Sequence, residues 1–166
     1  MGQAFIFCRA NPPPMDLGHT GWGFQLQDAT FFGGATEAFQ GAAFPFNVPP
    51  GQNNDAWAEP FPTLDAIQAA FKGSAPDGHA PYNWWKSYEV AVPNYEAAEA
   101  QAQANRLRGW GLLGNNCLDH ATDVIAAYGV PWQQVGGSPA DGMPWKQSNM
   151  LPIGWFHAWN VAEYNL

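Results

Sequence analysis

Residues 116–131, "NCLDHATDVIAAYGVP", carry a helix signal closed at both ends. Asn116 is a favoured N-cap, Asp119 falls in the first turn, and Gly129 followed by Pro131 stops the helix. At about 100° per residue, Cys117, Leu118, Ala121, Val124, Ile125 and Tyr128 share one apolar face. Asp119, Thr122, Asp123 and Ala126 fall opposite. Such a stripe must be buried against a broad apolar surface, so the rest of the chain has to supply a sheet or further helices.

Alternating segments supply a sheet. "QAFIFCRA" reads as a first strand with Phe5, Phe7 and Arg9 on one face and Ala4, Ile6 and a buried Cys8 on the other, ended by the prolines of "NPPPMD". "GHTGWGFQLQDATFFGGATEAF" reads as a hairpin in which Trp22, Phe24 and Leu26 alternate with Gly21, Gly23 and Gln25. His19 belongs to the glycine face, left nearly bare and suited to close approach by a backbone or ligand. "WWKSYEVAVP" is a further strand. Helices are expected in "TLDAIQAAFKG", capped by Thr63 and stopped by Gly73, and over residues 95–107, capped by Asn94. Residues 40–62, rich in Pro, Asn and Gly, read as a long surface loop, and "PIGWFHAWN" in the aromatic tail as a last turn or short strand. Together these give an α+β fold, an antiparallel sheet packed against a helix that carries the cysteine at its N-terminus. It forms a single domain over residues 1–166.

The charge balance narrows the partners. Fourteen acidic residues against six scattered basic ones give a net charge of −8, which argues against binding nucleic acid by counterion release. No apolar run approaches the roughly 18 residues of a membrane span, and the first residues lack the basic and apolar regions of a signal peptide. The expected location is the cytoplasm, or outside the cell after export without a cleavable signal. Two cysteines do not make a disulfide framework, so the thiol of Cys117 stays available in a reducing compartment.

A thiol at the first position of a helix meets backbone N–H groups that favour an anion and lower its pKa. The same groups favour the oxyanion of an acyl-transfer intermediate. His19 is the candidate base on an opposing strand. If Gln27 and Asp28 form a two-residue turn, Leu26 pairs with Ala29, and Thr36 falls opposite His19 as the orienting hydroxyl. Glu37 then points to the other face unless a bulge intervenes. Asn116 and His120 are supporting neighbours of the thiol; His79 and His157 are weaker candidates.

"GHTGWGFQL" followed about a hundred residues later by "NNCLDHATDVIAAYG" resembles the circularly permuted branch of the papain-like, NlpC-type cysteine peptidase superfamily, which includes lecithin:retinol acyltransferase-like proteins. The resemblance implies a permuted papain-like fold, a nucleophile at Cys117, a base at His19 and a polar third residue on the following strand. The family often has His, Asn or Gln at that third position, where this chain has "TFFGGATE". It also implies a thiol protease, amidase or acyltransferase acting on peptide, cell-wall or acyl substrates without cofactor or metal.

Two alternatives compete with this hydrolase. One is a non-catalytic module of the same fold that binds a glycan or protein through exposed members of its nine Trp, although Trp57, Trp84, Trp85, Trp110 and Trp145 also suit plain packing. The other is a metal site built from Cys117 and His120 with His19 or His157, whose spacing lacks a second ligand pair.

Overall fold

The structure, a computed structural model, describes residues 1–10, 17–37, 47–73, 80–111, 115–131 and 152–166. Eight strands and four helices follow one another along these residues: β1 (Gly2–Arg9), β2 (His19–Gln25), β3 (Phe31–Thr36), β4 (Asn47–Val48), β5 (Ala56–Phe61), α1 (Leu64–Lys72), β6 (Trp84–Val90), α2 (Tyr95–Asn105), β7 (Trp110–Gly111), α3 (Cys117–Tyr128), α4 (Pro152–Ala158) and β8 (Glu163–Asn165). The fold is α+β. Six strands form one sheet in the order β5-β3-β2-β1-β6-β8, antiparallel at every pairing, and β4 pairs with β7 apart from it.

Alternation in β1 and β2 gives the sheet two apolar faces. Ala4, Ile6, Cys8, Trp22 and Phe24 form a core with Leu118, Ala121, Val124, Ile125 and Tyr128 of α3, joined by Ala98 and Ala102 of α2 and by Trp155 and Phe156 of α4. Phe5, Phe7, Phe31 and Ala35 form a second core with Ile67 and Phe71 of α1. Each fully buried large apolar side chain contributes about 1.5–3 kcal/mol, so both layers are needed to offset the chain entropy.

The expected glycine face is present but not bare. Side chains at Gly21 and Gly23 would collide with Phe71 and with Ile67, so these glycines let α1 lie flat on the strand. α3 takes the opposite face.

Three further expectations are corrected. The stretch 40–62 is not a loop throughout: β4 and β5 lie in it, and β5 pairs with β3 at the sheet edge, where Pro60 costs no interior ladder bond. The tail forms the helix α4 and the edge strand β8 rather than only a turn. α2 ends at Asn105, and because it packs on α3, Thr122 on the supposedly outer face is buried and donates to the Leu118 carbonyl. The triple proline, His79 and Trp145 lie outside the described residues.

Candidate active site

The cysteine helix begins as its sequence dictates. Asn116 caps α3, its side chain accepting from the amides of Leu118 and Asp119, while the Asp119 carboxylate accepts from the Asn116 amide in return. Asn115 takes a left-handed backbone, φ 58°, and donates its side-chain amide to the Arg108 carbonyl. The two asparagines therefore have separate tasks, one turning the chain into the helix and one capping it. They leave Cys117 as the first helical residue, only 3% exposed.

The His19 strand reaches the same point. His19 opens β2 and is also 3% exposed. His19 and Cys117 interact directly, and the backbone and side chain of Thr20 lie beside the sulfur. Burial alone raises the thiol, but the His19 charge and these polar neighbours outweigh it and hold Cys117 below its ordinary value. Burial likewise depresses the imidazole, yet the negative charges of Cys117 and Glu37 prevail, and His19 is pushed up to about 10. Each group stabilises the charged form of the other.

The third member is Glu37, placed by the hairpin turn. The turn has three residues rather than two: the Leu26 amide donates to the Thr30 carbonyl, the Ala29 amide to that of Leu26, and Ala29 adopts φ 66°. Gln25 consequently pairs with Phe31 and Gly21 with Ala35. Continued to the strand ends, this register sets Thr20 against Thr36 and His19 against Glu37, one residue from the expected alignment. The one-residue difference swaps the two faces of β3. Glu37 Oε2 lies 3.2 Å from His19 Nε2, an ion-pair contact at an oblique angle. With Nε2 against Glu37, Nδ1 is the ring atom left to share a proton with the sulfur.

Thr36 does not orient His19. Its hydroxyl lies 2.8 Å from His120 Nδ1 on the α3 side of the sheet. His120 Nε2 lies 2.9 Å from Asn115 Oδ1, and because the Asn115 amide nitrogen donates elsewhere, Nε2 carries the proton and Nδ1 accepts from Thr36. His120 thus ties the end of β3 to the start of α3, a supporting place reached through different atoms from those expected.

Glu37 is held by groups the sequence did not single out. Arg9 Nη2 donates to Oε2 at 2.9 Å, and Tyr82 and Trp57 donate to Oε1 at 3.3 and 3.4 Å. Arg9 also lies over the Tyr82 ring. Burial and the Glu37 charge push the Tyr82 hydroxyl well above its usual range, so it stays a donor. Arg9 was legible as a cation on the glycine-side face of β1; Tyr82 lies in an aperiodic stretch that gave no signal.

The metal alternative is not assembled. Among the described residues no group of three or more His, Cys, Asp or Glu is placed to hold an ion, and His157 engages Glu163 and Trp84. None of the helices among the described residues is long and apolar enough to cross a membrane. No protein-family model, curated protein or solved structure matches the chain.

Proposed function

We propose that this protein is a cysteine hydrolase or acyltransferase of permuted papain-like type, acting on an amide or ester carbonyl. The observation that carries this is the buried array Cys117–His19–Glu37, in which the thiol is lowered and the imidazole raised by each other's charge. A structural cysteine has no need of a partner of that kind. The order of elements supports the permuted topology, because the histidine strand precedes the cysteine helix and joins the same sheet.

In the proposed reaction the Cys117 thiolate adds to the carbonyl carbon, and the resulting oxyanion is met by the amide of Cys117. The amides of Leu118 and Asp119 are already committed to the Asn116 cap. The His19 imidazolium gives its proton to the leaving amine or alcohol as the bond to carbon breaks, and a thioester remains. Water or another acceptor then attacks, His19 takes its proton, and the thiolate departs. Glu37 keeps the ring oriented and stabilises its charged form.

An activated ester tests this without knowledge of the natural substrate. Incubation with p-nitrophenyl acetate should add one acetyl group to Cys117, seen by mass spectrometry of the tryptic peptide. The adduct should decay with time, be absent in Cys117→Ala and form more slowly in His19→Ala. Failure of Cys117 to acylate, with an ordinary thiol titration, would overturn the assignment in favour of a binding module.

A further inference from the structure

Thr20 lies beside the nucleophile and takes no part in the steps proposed above. It follows His19 in β2, and strand alternation turns it to the other face, where α3 packs. It is fully buried, and its hydroxyl has no hydrogen-bond partner of good geometry among the described groups. The Cys117 sulfur, at the start of the helix on that face, lies within its reach. A hydroxyl shut away from water is costly unless it is bonded, and a neutral thiol is a poor acceptor, whereas a thiolate accepts strongly. Its neighbour across the strands has a matching place: Thr36 meets His120, one helical turn along from Cys117. Two adjacent threonines thus face the first turn of α3, and only one of them has a neutral partner.

The geometry points to Thr20 as a catalytic residue, its hydroxyl donating to the Cys117 thiolate. This rests on the proposal that Cys117 is the nucleophile. The consequence for the reaction is directional. When sulfur bonds to the acyl carbon it loses its charge and the hydroxyl loses its acceptor; when the thioester breaks, the departing thiolate regains that hydrogen bond. Thr20 therefore favours deacylation, the step in which the C–S bond cleaves and the electron pair returns to sulfur, and sustains the free thiolate between turnovers.

The test is the pH dependence of iodoacetamide alkylation, read at the Cys117 peptide, for the parent protein, Thr20→Val, Thr20→Ser and His19→Ala. Valine keeps the branched shape of threonine without the hydroxyl, and Thr20→Ala serves the same comparison should the valine variant not fold. Loss of a hydrogen bond to a charged group predicts an alkylation rate near pH 6 reduced about tenfold, with the midpoint moved upward. Thr20→Ser should restore the parent profile. With p-nitrophenyl acetate the valine variant should hold more acetylated Cys117 at steady state. A valine profile superimposed on the parent, while His19→Ala shifts, would overturn the role of Thr20 and leave the nucleophile in place. An ordinary thiol profile in the parent, unmoved by His19→Ala, would overturn both.

Discussion

The Tyr128 hydroxyl donates to the Gln25 carbonyl at 2.7 Å, at the far end of the strand whose first two residues meet Cys117. α3 thus runs in the same direction as β2 and is held to it at both ends. The lengths allow this: a twelve-residue helix is about 18 Å long and seven strand residues about 23 Å, a near match once side chains reach across. Tyr128→Phe should lower stability by about 1 kcal/mol, measured by urea unfolding, and should slow alkylation of Cys117 by loosening the position of the helix along the strand. An unchanged alkylation rate would show that the N-terminal contacts alone place the thiol.

Glu37 divides one carboxylate between two cations. Glu37→Gln removes the negative charge beside His19, so the imidazolium should lose its proton at a lower pH than the value near 10. The basic limit of acylation by a substrate whose leaving group needs the His19 proton should move down with it. Arg9→Gln should act in the opposite direction, because it removes the cation that competes with His19 for Oε2. NMR titration of the His19 ring in both variants checks the two signs, and shifts of the same sign would contradict the competition.

The pair also fixes how stability depends on pH. His19, raised above its ordinary 6.5, contributes stability fully below that pH and loses it as pH rises through about 10. Cys117, lowered from 9.0, contributes fully above that pH and loses it as pH falls through its folded value. The two trends oppose each other from the folded value of Cys117, or from about pH 6.5 where that is higher, up to about pH 9, and the joint contribution declines as pH rises further. The difference in unfolding free energy between the parent and Cys117→Ala, followed by denaturant titration across this range, should trace a bell. A difference independent of pH would show that the thiol is buried uncharged.

Ala29 holds a left-handed backbone, φ 66°, that suits glycine better. Ala29→Gly should raise stability by roughly 1 kcal/mol without altering alkylation of Cys117, since the register is kept. A loss of stability would mean that the entropy of the unfolded glycine outweighs the relieved strain, and the gain would be absent from the thermal midpoint.

Much of this architecture could be read from the residues because local rules decide it. The caps at Thr63, Asn94 and Asn116, the alternation of β1 and β2, and the apolar face of α3 all follow from short-range chemistry, and His19 and Cys117 stood out by position. What failed was long-range or depended on a single residue. β5 escaped because an edge strand tolerates the proline that argues against a central one. The buried outer side of α3 depends on α2, which no pattern within α3 announces. Thr36 and Glu37 changed places because alanine, not glycine, occupies the left-handed position of the turn and so hides its length. The role of Tyr82 arises only once the sheet brings Arg9, Glu37 and His19 together.

That turn has an implication for how such a site is gained or lost. Leu26 and Thr30 close a loop several residues along both strands from His19 and Glu37. Removing a single loop residue would leave every side chain of the site in the gene, yet it would present Thr36 to the imidazole and send the carboxylate to the far side of the sheet. In this hairpin a one-codon deletion far along both strands is equivalent to replacing the acid beside His19, even with Cys117, His19 and Glu37 all retained.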